Sequence, residues 1–597
     1  MSHRLLLLGT LLIIALCGAR ARAENEGQTY LDKATEAKLG AESLADLGEV
    51  IDLCEQALKA GLDDANKEFA SKLLAGTLFQ RAEVVCAEIF ERPTPSRSWP
   101  QLRKSALMDL ERSLKTDAAQ PQAHYLIARL HVLPGGEKKR ARQALDDAVR
   151  LAGSEPAVKA KALILRASLR EKTDERQADF DQAIKLTPHD ADVLRARGLF
   201  HLMQNKYEQA IADLNAAIEL DPKHAESFEA RGVAYLFQKK FDQALENFDK
   251  AIDLAPESAV AYSHRARVHA IKGNTDKALT DLDKALEIAP RAASLLLLRA
   301  RVLQQAKDVD KALVDVEKVL SSQPGLIEAL QLRAALAAGA GDFDRAIQDL
   351  QELLKAEPDN TDLLLQLAVL YTAAKQHPKS LKTFGALLAK DPKNGSGYRG
   401  RADVYLSIGK QGEAIADYES ALKFDPDNSG VLNNLAWVLA TSPDENRRDG
   451  KRAIELATKA CKLTDFKQAH ILSTLAASYA EAGDFDAAIS WSKKAVEAGD
   501  ENLKPQLNQE LSSYQGRKPW RELQSSDTEP YSKPQVAAHG RDPQTLPAKA
   551  SPPKNPATEE AQSTVDDPFG GDAGPSDDDA EPGDDQPPVD VGDETDK

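Results

Sequence analysis

Apolar residues through the middle of this chain recur at three- and four-residue spacing, in short blocks broken at regular intervals. Between Ala191 and His224, Leu194, Gly198, His201 and Leu202 share one helical face. Asn205-Lys206 interrupts it. Tyr207, Ala210, Ile211, Leu214, Ala217 and Ile218 then resume the same spacing. The pattern predicts two amphipathic helices joined by a turn. The second must stop at Asp221-Pro222, because proline lacks an N–H and disfavours helix in the residue before it. Gly198, Ala210 and Ala217 are small enough for the two helices to approach closely. The block then repeats. Prolines stand at 188, 222, 256, 290, 324, 358, 392 and 426, every step 34 residues. Alanines keep that step at 210, 244, 278, 312, 346 and 414, with Ser380 in the missing place. A third ladder runs Gly198, Gly232, Ala266, Ala300, Ala334, Ala368, Ala402 and Ala436. Gly273-Asn274, Gly341-Asp342, Gly409-Lys410 and Gly483-Asp484 supply further turns.

These helix–turn–helix units resemble tetratricopeptide (TPR) repeats. The resemblance implies an all-α fold, a right-handed superhelical solenoid of antiparallel helix pairs. It is strong from about Ala157 to Asn428 and looser over Ala123–Pro156 and Ala469–Gly499. The family's aromatics are mostly aliphatic here, so packing rests on Leu and Ala. The array is placed at 122–499, behind a helical region of degenerate repeats at 24–121 with an irregular loop from Pro93 to Pro100. One repeat, at 429–466, is longer: Ala402 to Ala414 is a step of 12, but Ala436 to Ala453 is a step of 17. Five residues have entered between its helices, within ATSPDENRRDG. Its "NNLAW…RDG…KAC" pattern is similar to a unit of exported bacterial TPR proteins and brings no known activity. The insertion reads as a longer surface turn that modifies stacking; the functional alternative is a protruding contact loop built on Arg447, Arg448 and Asp449. An open stack needs caps. At 500–521 the stripe Leu503, Leu507 and Leu511 predicts a capping helix, with Gly516 as its stop and Pro519-Trp520 folding back over the last repeat.

Arg197, Arg231, Arg265, Arg299, Arg333 and Arg401 also step by 34, with Leu367 in the gap. Sixteen residues on stand Asp213, Asn247, Asp281, Asp315, Asp349 and Asp417, with Thr383 after Leu367. The arginine and the acid disappear together. Residues sixteen apart sit level across such a hairpin, so Arg197–Asp213, Arg265–Asp281, Arg299–Asp315, Arg333–Asp349 and Arg401–Asp417 are expected to pair within repeats rather than to bind an anion. The resemblance places the first helices on a concave face, lined by Arg195, Leu199, Glu229, Val233, His264, Arg267, Leu297, Arg301, Leu365, Val369, Arg399 and Asp403. That mixture suits an extended polypeptide. Some TPR domains hold a C-terminal carboxylate in a Lys/Asn/Arg constellation. Arg399 and Asn434 echo it, but Asp403 stands where an amide would be wanted, so that ligand is not carried over.

Composition changes the picture at the two ends. Of the net charge of −17, the segment 555–597 holds −14, with 15 Asp/Glu against one Lys. The remaining −3 gives the body no global attraction to nucleic acid or anionic membrane. The stretch 522–597 is rich in Pro, Asp, Gln and Ser and is expected to be a disordered acidic tail; Asp567-Pro568-Phe569-Gly570-Gly571 offers a short recognition motif of low specificity. Arg4, the apolar run Leu5–Leu16 and Ala21-Arg22-Ala23 read as an export signal at 1–23. A run of twelve residues is too short for a bilayer, which needs about 20. The chain is therefore expected in the periplasm or secreted. An uncleaved anchor, or lipid on Cys17, remains the alternative and the single route to a membrane.

Beyond the signal, Cys54, Cys86 and Cys461 are too few for a disulfide framework. Cys54 and Cys86 would differ in height by ~18 Å on adjacent helices, beyond disulfide reach. No HExxH, Walker loop or GxSxG occurs, and no Cys/His spacing suits zinc. Among the eleven histidines, His201 and His269 hold equivalent packing positions. The expectation is a non-enzyme, without cofactor or small-molecule substrate: a protein-interaction scaffold or assembly factor. The alternatives are a chaperone-like holder of exported chains and a non-catalytic subunit of an envelope enzyme.

Overall fold

A computed structural model describes residues 26–91 and 99–522. The signal region, Cys17, most of the loop after Glu91 and the acidic tail lie outside these residues. The described residues contain helices and no strand, and they fall into two compact units, the first running to Val268 and the second starting at His269.

In the first unit a helix over 26–39 is followed by Leu44–Ala60, Asp64–Glu91 and Trp99–Thr116. Trp99 and Pro100, expected in the irregular loop, instead open the last of these, where proline's missing N–H costs nothing. Regular pairs begin with Pro121–Val132 and Lys138–Leu151, then Pro156–Leu169 and Thr173–Leu186, Ala191–Met203 and Tyr207–Leu220, and Ala225–Phe237 and Phe241–Leu254. In the second unit Ala293–Gln305 pairs with Val309–Ser322, Ile327–Ala340 with Phe343–Ala356, Thr361–Ala373 with His377–Lys390, and Gly395–Ser407 with Gln411–Phe424. Within each unit the second helix of a pair also packs on the first helix of the next.

The three ladders explain this packing. Ala210, Ala244, Ala312, Ala346 and Ala414 are completely buried. At Gly232 an added Cβ would sit 2.6 Å from the Phe248 ring, so the glycine is what admits the partner helix. Asp221 at the end of Tyr207–Leu220 returns its N–H to Ala217 at 2.9 Å, and Pro222 prevents another turn. The tight turns inside the pairs need one left-handed residue. Gly273, Gly341 and Gly409 supply it with φ of 75°, 83° and 79°. In register with them stand Asn205, Lys239, Lys307 and Lys375, at φ 57°, 59°, 63° and 57°. A side chain there carries strain of about 1 kcal/mol. Lys307→Gly is therefore expected to raise stability by up to about 1 kcal/mol, because the backbone is already in a glycine conformation; denaturant melts of the two proteins check the sign.

The long repeat consists of Ser429–Thr441 and Gly450–Leu463, joined through a short 3₁₀ turn, Glu445–Arg447. Ala469–Glu481 and Phe485–Ala498 form the last pair, covered by Lys504–Gln515. Leu507 and Tyr514 bury themselves there with the apolar residues of the last two repeats. Gly516 does not provide the left-handed stop expected of it: its φ is −77°, and Arg517 takes φ 53° instead. Glu510, fully buried on this helix, accepts from Gln506 Nε2 at 3.0 Å and from Ser473 Oγ. Burial pushes its carboxyl above the usual 4.5. The folded form therefore binds the proton more tightly than the unfolded one, so this contribution to stability falls as pH rises out of the ordinary carboxyl range. Glu510→Gln keeps an acceptor without the charge. It is expected to stabilise the C-terminal repeats at neutral pH and to flatten that pH dependence, as read by melts from about pH 4 to about pH 8.

Cys54, Cys86 and Cys461 are buried and unpaired. Burial pushes their thiols up to about 11, about 12 and about 11, so they are protonated and unreactive at neutral pH.

Candidate functional site

The arginine ladder is internal. Arg197 Nε and Nη2 donate to Asp213 at 2.9 and 2.7 Å. Arg299 holds Asp315 at 2.7 Å twice, Arg333 holds Asp349 at 3.0 and 2.7 Å, and Arg401 holds Asp417 at 2.7 and 2.8 Å. In these pairs the aspartate side chains are 2–8% exposed and the arginines 21–23%. Such burial favours the planar guanidinium fork over an ammonium.

The third nitrogen was not anticipated from the sequence. It reaches sixteen residues backwards, to the second helix of the preceding repeat: Arg197 to Asp181 at 3.2 Å, Arg231 to Asn215 at 2.7 Å, Arg265 to Asp249 at 2.7 Å and Arg299 to Asp283 at 2.6 Å. Arg333 lies 3.8 Å from Glu317 in the same sense. Arg197, Arg231, Arg299 and Arg333 therefore staple two repeats as well as two helices, whereas Arg401, with Gly385 sixteen residues back, holds Asp417 alone in this way. The signal was present as a further 34-residue ladder of polar residues. Where Leu367 replaces the arginine, Gln351 turns to the Tyr371 hydroxyl at 2.8 Å, and Ser380 donates to the Ala368 carbonyl at 3.0 Å.

The first helices carry the remaining candidates. In the first unit Arg195 is nearly buried, bonded to Asp192 and, at 3.1 Å, to Ser227 Oγ. Ser258 Oγ donates to Glu229 at 3.4 Å, and His264 Nε2 lies 4.0 Å from the other oxygen of that carboxylate while its ring stacks on Phe248. Burial pushes the Glu229 carboxyl up to about 6 and the His264 imidazole down to about 4, leaving the imidazole uncharged at neutral pH. Arg267 is half-buried, and Leu199 is 43% exposed. In the second unit Arg301 pairs with Glu328, Leu297 is buried and Val369 is 43% exposed. Arg399, Asp403 and Asn434 come together: Arg399 Nε is 3.9 Å from Asp403, Asn434 Nδ2 donates to Asp403 at 3.3 Å, and the buried Tyr418 hydroxyl donates to it at 2.6 Å. Asp403 thus already accepts from the polar groups gathered around it.

Family models agree with this architecture. Those described as Tetratricopeptide repeat match residues 337–402, 229–293 and 272–325, and one described as TPR repeat matches 201–239 and 402–441. The chain is a tetratricopeptide repeat protein. Among solved structures it is similar to a TPR protein from Parabacteroides merdae, at 19% identity over 41% of this chain and 97% of that one, with a TM-score of 0.31. It is similar to PilF of Pseudomonas aeruginosa at 23% identity, over 37% and 98%, with a TM-score of 0.32. It is also similar to yeast Tom70 at 18% identity, over 74% and 96%, again with a TM-score of 0.32. A comparison with curated proteins finds no match. TPR domains bind proteins or peptides, and TPR proteins are typically non-catalytic.

The inserted loop of this TPR protein is tied down by hydrogen bonds to its own and neighbouring residues. Arg448 Nε donates to Glu481 at 2.9 Å, and its Nη1 donates to the Ser442 and Pro443 carbonyls at 2.9 and 3.2 Å. Asp449 caps Gly450–Leu463 by accepting from the Arg452 N–H at 2.9 Å. Arg447 turns back to Asp444 at 2.9 Å and stays partly exposed. Glu481 faces a second cation, Arg521 Nη2 at 2.6 Å, from the segment that follows the capping helix. That segment does fold back, but onto the long repeat as well as the last one. Glu522 reaches the Trp437 indole N–H, 3.1 Å from its Oε2. Sequence reasoning missed Trp437, Glu481, Arg521 and Glu522 as a group, because no repeat period links them. Among the described residues no helix is long and apolar enough to cross a membrane, and no three His, Cys, Asp or Glu are placed to hold a metal.

Proposed function

We propose that this TPR protein is a non-catalytic interaction scaffold or assembly factor that acts outside the cytoplasm and holds an extended polypeptide on the face formed by its first helices. One observation carries the reading. While the repeated arginines are consumed in internal staples, the first helices of the second unit expose Val369 together with charged groups such as Arg399 and Asp403. Exposed apolar groups beside charged ones suit an extended polypeptide. The export signal read in the sequence supports the location.

Chemical cross-linking followed by capture of the tagged chain from the envelope fraction tests the reading. It predicts one partner polypeptide in fixed proportion. A broad set of unfolded chains would favour a chaperone-like holder instead. Absence of the chain from the envelope and extracellular fractions would contradict the location.

A further inference from the structure

We propose that the first-helix face at Trp437 is a binding site for an extended strand that presents an arginine followed by an acidic residue, and that Trp520–Glu522 of this chain occupies it as a resident ligand. This rests on the reading that the first helices take polypeptide, and it adds the chemistry the strand must carry.

The repeat period places the site. Trp437 stands 34 residues after Asp403 and 68 after Val369, so it continues the ladder that defines the candidate face. It lies near the C-terminal end of Ser429–Thr441, where helix carbonyls have no helical partner. Two of those carbonyls are taken by the returning chain. The Glu522 N–H donates to Thr441 O at 3.0 Å, and Arg521 Nη1 donates to Ala440 O at 3.3 Å. The side chains add the selection. Arg521 Nη2 lies 2.6 Å from Glu481, whose other oxygen is fixed by Arg448 of the insertion at 2.9 Å. Glu522 accepts the indole proton of Trp437 at 3.1 Å. Trp520 packs into the same apolar cluster as Trp437 and Ala440.

Backbone recognition, one cation socket and one carboxylate-accepting donor on consecutive residues are the elements of a strand-reading site. The insertion holds Glu481 in position, which gives the five extra residues a role in recognition. The occupant is a few residues long and stands outside any helix, so a strand offering the same groups in trans can replace it.

A fluorescein-labelled synthetic peptide reproducing residues 516–526 tests this by anisotropy against the full chain. The doubly substituted full-length protein Arg521→Ala/Glu522→Ala, with helical content checked by circular dichroism, should bind the peptide at least tenfold more tightly than the unsubstituted protein. Replacing Arg and Glu in the peptide by alanine should remove that binding. In the unsubstituted protein, saturating peptide should speed amide exchange at Glu522, whose N–H is bonded to Thr441; this readout does not depend on the variant folding. Equal binding by the two proteins, insensitivity to the peptide's Arg and Glu, or unchanged exchange at Glu522 would overturn the proposal. Peptide that cross-links at Val369 rather than at Trp437 would overturn it too, while leaving the broader reading of the first-helix face in place.

Discussion

A chain ending after Gly499 will melt in two steps, with the C-terminal repeats lost first, whereas a chain ending after Asn555 will melt like the full protein. The first truncation removes Lys504–Gln515, and with it Leu507 and Tyr514, which are 2% and 0% exposed. Trp520 and Leu503 also leave the apolar cluster that closes the second unit. Each large side chain contributes about 1.5–3 kcal/mol by burial, so the loss is on the order of 5 kcal/mol. It falls on one end of the stack because repeats contact only their neighbours. A ladder built this way unfolds locally, and the first transition should report the repeats from Ser429 onwards. The second truncation removes a charge-rich stretch whose composition gives it nothing to pack. Equal melting profiles for the two chains would mean the helix is not a cap.

Arg299→Ala will destabilise the second unit more than any single substitution at an exposed charge. It strips two charge-assisted hydrogen bonds from Asp315, whose side chain is 2% exposed, and a third from Asp283. Leaving a buried carboxylate uncompensated costs about 3–5 kcal/mol, whereas removing both members of such a pair costs far less. Arg299→Ala/Asp315→Ala should therefore recover much of the loss, and Arg299→Lys should recover little, since an ammonium cannot span the fork. Denaturant melts of the three variants decide this. A single substitution costing under about 1 kcal/mol would make these pairs no more than surface ion pairs.

The fold was legible because one unit is written many times. A single apolar pattern is ambiguous, but prolines, alanines and glycines recurring on one period left few architectures, and the arginine–aspartate partnership followed from their joint disappearance at Leu367 and Thr383. The turn position was legible only where it was glycine; Lys239, Lys307 and Lys375 hold the same left-handed conformation against their own preference and gave no sign of it. The candidate site was less legible. Arg195, Arg301 and Arg448 were candidate contact cations in the sequence, but each has an acidic partner within the chain, Asp192, Glu328 and Glu481. Trp437, Glu481 and Glu522 meet through a chain reversal after the capping helix, and no local pattern encodes that meeting.

The central claim is that partners lie along the first helices. Photoreactive benzoylphenylalanine placed singly at Val369 or at Val314 tests it most directly. Both valines are exposed, at 43% and 56%, and both belong to the second unit, but Val369 lies on a first helix and Val314 on a second helix. Irradiated in cells, the Val369 probe should give a discrete cross-linked polypeptide and the Val314 probe should not. Cross-linking from Val314 alone, or equally from both, would contradict the account.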